Sequence, residues 1–313
     1  MTLAETAPPP ARATAEVSAT RAAAGRARRG RLVPFLLVLP AAAGIVLFVL
    51  VPALLSFVGS FFRIPIAGGP WTFVGLANYQ RVLTDPIVLQ AIGNTLVYSA
   101  LTIVPSLALG LALALLANRA GRARPLVRTL LFLPMTANLV AMAVVFRWIF
   151  NAQDGFANQL LAVLGLAPVN WLGDPSTSLL TVALVGVWRT ASLTMMIFFA
   201  GLATIPVAID EAARAEGIRG WAKLTRVTLP IMRPTVVFAT VLSVLASVQV
   251  FDTVNVMTQG GPQGSSETIL TMIWKLGFSY FDLGAASALS LLLLLALITV
   301  GILQRRTLTG GAR

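Results

Sequence analysis

Residues 209–230 read IDEAARAEGIRGWAKLTRVTLP, the longest polar run lying between two apolar segments long enough to cross a bilayer. Glu211–Glu216 lack Gly and Pro, which predicts a short helix. Gly217 supplies a residue that can take φ > 0 where that helix must stop. Arg219–Thr228 predicts a second helix, and Pro230 with Pro234 prepares the chain for the next span. A helix–glycine–helix unit of this kind between two membrane spans is either an ordinary amphipathic loop or a docking element.

The surroundings of the run are those of an integral membrane protein. Of 313 residues, 57% are hydrophobic and only 11% charged, with mean hydropathy +0.86. An ordinary soluble domain carries about 25% charged residues. The net charge of +12 does not mark a nucleic-acid binder, because the basic residues flank apolar spans and form no patch of their own. Cys and His are absent, which removes disulfides, thiolate chemistry, the common zinc sites and His-based triads. The two lysines, Lys223 after Ala222 and Lys275 after Trp274, exclude a Gly-Lys-Ser/Thr phosphate loop. If ATP powers this protein, another chain binds it and its Mg ion, and this chain holds no cofactor and no metal.

The fold class expected is all-α, a bundle of about six transmembrane helices. Spans are predicted at about 32–60, 92–117, 125–150, 178–204, 231–251 and 283–304, each near the roughly 20 residues a crossing helix needs. Residues 1–31, rich in Pro, Ala and Arg, predict a disordered basic tail, and 305–313 a short second tail. Residues 32–304 are expected to form one membrane domain. Of 23 Lys and Arg, 18 fall in 1–31, 118–128, 205–234 and 305–313, which puts both termini and the 209–230 run on the cytoplasmic side of a cell membrane. Segments 61–91, 151–177 and 252–282 face outward, and Gln259–Gly264 (QGGPQG) reads as a turn-rich outer loop.

The spacing E-A-A, three residues, Gly, nine residues, Val227, one residue, Leu229-Pro230 resembles the EAA loop of the membrane subunits of ABC importers. Val227 stands where Ile is usual, and Glu216-Gly217-Ile218 where D-G-A is frequent. The resemblance extends to FVGLANYQRVLTDP (73–86), Asn94-Thr95-Leu96, FLPMTANLVAMAVVFRWIFNAQDGFAN (132–158), NWLGDP (170–175), FDTVNVMTQGGPQGSSET (251–268) and GAASALS (284–290). These are similar, in the same order, to segments of carbohydrate-uptake permeases of the maltose type. The resemblance implies that Glu211, Ala212, Ala213, Gly217, Leu229 and Pro230 couple the chain to cytoplasmic ATPase subunits, acting as a dimer. It also implies a second six-span permease as partner and an extracytoplasmic solute-binding protein that delivers a small-molecule solute. Glycerol-3-phosphate and polyol importers share these features.

Polar groups inside the spans are the candidates for the solute pathway. Arg189 sits about ten residues from either end of LLTVALVGVWRTASLTMMIFF, near the bilayer centre. A charge there costs at least ~2.5–3.5 kcal/mol on insertion scales, so it faces a cavity or a partner. Trp188, Asn138, Gln249 and Asp252 complete the set; each also has an ordinary reading as packing or as an interhelical hydrogen bond. An autonomous secondary transporter would need embedded acids, and Asp252 lies only at the edge of a predicted span. A membrane enzyme would need a polar catalytic cluster, and no paired carboxylates occur at useful spacing.

Overall fold

The computed structural model describes residues 37–65, 68–119, 121 and 124–309. The expected tail 1–31, the first residues of the first span and residues 310–313 lie outside the described residues. The chain divides at Val58/Gly59 into two compact units. The first contributes one apolar helix, α1 (Leu37–Gly59, whose last residue falls in the second unit), with a wide π-type turn at Val46–Leu50.

The second unit is a helical bundle built on two helices. These are α3 (Pro86–Arg119), which follows the short helix α2 (Ala77–Thr84), and α7 (Ser178–Ala203). They run side by side in the same direction. Tyr98 and Thr102 lie against Gly186, Thr194 Oγ1 donates to the Ser106 carbonyl at 2.8 Å, and Gly110 meets Met195. Small residues allow this approach. A methyl group on Gly110 would sit 2.9 Å from the Met195 backbone nitrogen, and one on Gly186 would sit 3.1 Å from Tyr98 Cζ. Close backbone contact through Gly and hydroxyl residues is how membrane helices associate where lipid removes the hydrophobic drive.

The predicted third span is not one straight helix. Residues 125–150 form two helices, α4 (Arg124–Thr136) and α5 (Leu139–Ile149), bent by 94° at their junction. At that junction Asn138 leaves the helical region (φ −62, ψ 130) and its side chain accepts from the Val140 and Ala141 amides. The polar residue therefore starts a new helix instead of riding inside a continuous one. Between α5 and α7 lies α6 (Phe156–Val163). Downstream of α7 come α8 (Val207–Ala215), α9 (Gly220–Lys223), α10 (Arg233–Val248) and α11 (Asp252–Met257). The chain continues through α12 (Ile269–Trp274, extended by a π-type turn to Ser279) into α13 (Leu283–Thr309). Among the described residues, five helices are long and apolar enough to cross a membrane, or six with the bent pair counted as one span. The second span is longer than expected, and the fifth reaches Met257 by way of a break at Gln249–Phe251.

Three apolar clusters divide the bundle by level. Val82, Val88, Met272 and Leu289 join α2, α3, α12 and α13. Tyr98, Met142, Val182, Val185 and Val254 join α3, α5, α7 and α11. Ala117, Met195, Phe198, Met232 and Ala239 join α3, α7 and α10. A two-residue antiparallel pair, β1 (Phe62–Arg63) with β2 (Thr72–Phe73), lies between α1 and α2 in the chain. There the buried Asn78 donates to the Ser60 and Phe62 carbonyls at 2.8 and 3.0 Å.

Candidate functional site

The 209–230 run folds as two helices around a glycine. The Glu211–Glu216 helix starts earlier than predicted, at Val207, and stops at Ala215. Gly217 has φ +74, its amide donates to the Arg214 carbonyl at 3.1 Å, and the Ile218 amide to the Ala213 carbonyl at 2.8 Å. That pair of reversed bonds is a Schellman cap, which requires the left-handed residue that Gly provides. Ala213 is buried, whereas Glu211, Ala212 and Gly217 are exposed. The second helix starts one residue later than predicted and runs three residues further, with its middle irregular. It spans Gly220–Lys223, widens into a π-type turn at Leu224–Thr228 and ends at Leu229–Ile231, with Pro230 in the first turn of that last segment. Leu229 is half-buried and Pro230 exposed.

A charge clamp ties the two helices together. Asp210 in the first turn of α8 pairs with Lys223 at the end of α9 and with Arg214 at 2.7 Å. The Lys223 ammonium, with Arg214 helping, holds the Asp210 carboxyl below the usual carboxylate range. An acid at a helix N-terminus is favoured there by the helix dipole as well. Above the loop, Leu115, Asn118, Leu202, Trp221 and Val227 line a cleft of about 960 Å³. Trp221 stands 77% exposed on the same unit. The result is a clamped helix pair with Glu211, Ala212 and an indole exposed on its surface.

The intramembrane candidates do not form one polar patch. Arg189 is half-buried midway along α7; its Nε is buried without a hydrogen-bond partner, and it joins no ion pair among the described residues. Trp188 is 41% exposed and meets Phe146 edge-to-face at 5.1 Å, so the indole packs α7 on α5. Asn138 is an exposed helix cap, Gln249 ends α10, and Asp252 opens α11. Asn138, Trp188 and Asp252 flank the cluster around Val185 and Val254.

Two features escape sequence reading. Asp252 is not the acid most deeply placed near the spans. Glu267, read above as part of an outer loop, is buried with its Oε2 paired to Lys275, whose ammonium also donates to the Gln259 carbonyl at 2.9 Å. Residues 258–268 fold into the bundle and do not lie outside it as a free loop. Asn94 donates to the Gly264 and Glu267 carbonyls at 2.8 and 2.9 Å, and Ser178 meets Ser265 at 2.8 Å. The acid eight residues before a lysine was the available signal. Second, Ser99 Oγ and Thr102 Oγ1 on α3 are buried without hydrogen-bond partners.

A bundle of apolar helices with an exposed, clamped helix pair between its fourth and fifth spans defines a multi-pass membrane transport subunit. The chain belongs to the binding-protein-dependent transport system inner membrane components, whose family profile matches residues 106–309. It is the permease subunit of an ABC transporter and not an enzyme; the ATPase is a separate chain. It is 32% identical over 264 residues to the sulfoquinovosyl glycerol transport system permease protein SmoG of Agrobacterium fabrum, covering 84% of this chain and 86% of that one. It is 31% identical to the trehalose/maltose transport system permease protein MalF of Thermococcus litoralis, covering 82% and 87%. Among solved structures, a chain of a bacterial alginate ABC transporter shares the fold with a TM-score of 0.79 at 20% identity, covering 89% of this chain and 94% of that one.

Proposed function

We propose that this subunit forms half of the membrane pathway of an importer for a sugar or oligosaccharide. A second six-span permease supplies the other half, a cytoplasmic ATPase dimer holding ATP and Mg drives it, and an extracytoplasmic binding protein delivers the solute. The observation that carries the coupling role is the 209–230 unit. Its Schellman cap and Asp210–Lys223 clamp make it stiff enough to transmit a push, and Glu211 and Ala212 are exposed to receive one. The asymmetry of basic residues supports a cytoplasmic position for this unit and for both termini. The sugar class is supported by relatives named for trehalose/maltose, lactose and arabinooligosaccharide transport. On this reading Arg189, Trp188, Asn138, Gln249 and Asp252 border the pathway, Glu211, Ala212, Gly217 and Pro230 form the ATPase contact, and the buried Ala213 and half-buried Leu229 pack the coupling unit from within.

The test is recovery of the tagged protein from its membrane in mild detergent, with identification of the chains that come with it. An ATPase and a second six-span protein are expected. Glu211→Lys should leave that complex intact while ATP hydrolysis no longer drives uptake. Recovery of the chain alone, or unchanged uptake by Glu211→Lys, would refute the coupling role.

A further inference from the structure

Three buried polar atoms without hydrogen-bond partners lie on two adjacent helices at one depth: Ser99 Oγ, Thr102 Oγ1 and Arg189 Nε. Buried polar groups are ordinarily paired, so unpaired ones at this depth point to a role other than packing. The contacts of Gly186 with Tyr98 and Thr102, and of Thr194 with Ser106, fix the register of α3 against α7. That register brings Arg189 level with Thr102.

Depth makes the absence of a counter-charge decisive. Arg189 is the twelfth residue of α7, roughly 16 Å from its outer end at ~1.5 Å per residue. Embedded charges ordinarily pair with one another or mark a solute path. Here the paired acids among the described residues are Asp282, Asp210 and Glu267, and they bind Arg81, Arg214 with Lys223, and Lys275. A guanidinium is a planar donor suited to two-point contact with a carboxylate or sulfonate, and neighbouring hydroxyls suit sugar hydroxyls.

We infer that the solute is an acidic saccharide and that its anionic group passes over Arg189, with Ser99 and Thr102 engaging its hydroxyls. This rests on the importer reading above. The anion would offset the embedded charge at mid-membrane, whereas a neutral sugar would leave it uncompensated.

The experiment uses the whole complex with its binding protein in proteoliposomes and three labelled probes of one sugar skeleton: a hexoside, its 6-carboxylate and its 6-sulfonate. Uptake of an acidic member with little uptake of the neutral one is expected. Arg189→Gln should lower that uptake about tenfold or more, the loss of one charge-assisted bond. Arg189→Lys should recover part of it, and Ser99→Ala should lower it by a smaller factor. Uptake of the neutral hexoside alone would overturn the acidic class and leave the sugar-importer reading standing. Uptake of none of the three by a complex that still hydrolyses ATP would overturn both. Loss of the second permease from the Arg189→Gln and Arg189→Lys complexes alike would make Arg189 a subunit-interface group and overturn the inference.

Discussion

Replacing Lys275 by Met strands a carboxylate. Glu267 has only 4% of its side chain exposed; Lys275 holds one oxygen, and the other, Oε1, has no partner. Removing one member of such a buried pair costs about 3–5 kcal/mol, because the remaining charge keeps its desolvation penalty without its compensation. The reverse change is milder. Glu267→Gln leaves Lys275 with 27% of its side chain exposed and still bonded to the Gln259 carbonyl, so its charge is partly hydrated. That places its cost nearer the roughly 1–3 kcal/mol of a single unsatisfied buried group. The double variant removes both charges and should lie above Lys275→Met in stability. At about 2 °C per kcal/mol for a chain of this size, Lys275→Met should lower the midpoint of thermal unfolding in detergent by roughly 6–10 °C. Glu267→Gln should lower it by less, and the double variant should recover part of the Lys275→Met loss. A Lys275→Met midpoint within ~1 °C of the parent, or a double variant worse than Lys275→Met, would refute the reasoning.

Three further outcomes are expected. Gly217→Ala meets no atom within 4 Å but must adopt φ +74, so it should cost about 1–2 kcal/mol, and Gly217→Asn less. Hydrogen exchange at the Ile218 amide reads this directly, and equal rates in all three proteins would sink the Schellman assignment. The Asp210 clamp involves a carboxyl with a lowered pKa, so its contribution is present above the unfolded value of about 3.9 and is lost only as pH falls through the lower folded value. Coupled ATP hydrolysis should therefore show no clamp-dependent change between pH 5.5 and 8, and Asp210→Asn should loosen the loop by only ~0.2–1 kcal/mol, as expected of a partly exposed pair. Gly110→Val would drive side-chain carbons into Thr194 and the Met195 backbone, an overpacking that costs about 1–3 kcal/mol or more; recovery of assembled complex at parental yield would contradict the close α3–α7 contact.

What could be read in advance follows from which features are local. The membrane class is written in composition. The helix–glycine–helix unit is written in the spacing of Glu211, Gly217 and Pro230, because a Schellman cap needs only a glycine at the right offset. The 94° bend at Asn138 was not legible, since one Asn in an apolar run reads equally as a buried hydrogen-bond group or a cap; only the approach of α5 to α11 and α7 decides. Glu267 was hidden for a related reason. A charge among Gly, Gln and Ser residues reads as solvated, and its burial depends on Lys275 and on the closeness of Gly260, where a Cβ would collide with its carboxylate. Ser99 and Thr102 are unremarkable in a span until α7 is laid beside them.

The bundle also dictates how a push on the loop could reach Arg189. From Arg189 to Ala203 the chain is one unbroken helix, roughly 21 Å at ~1.5 Å per residue, and it connects through Thr204–Pro206 to α8. The neighbouring α4–α5 pair is bent by 94°, and the segment after α9 contains a π-type turn, so both are more compliant routes. Gly201, within the stiff stretch, is held by Thr235 and Met232. Leu193, half-buried between Arg189 and the loop, is where the lever can be softened in steps. Leu193→Ala keeps the helix, Leu193→Gly weakens it by about 1 kcal/mol, and Leu193→Pro removes the bond to the Arg189 carbonyl at ~3 kcal/mol or more. If α7 is the lever, uptake per ATP hydrolysed should fall in that order in complexes of equal recovery. A ratio that stays flat across the recovered series would mean that motion reaches the middle of the membrane by another helix.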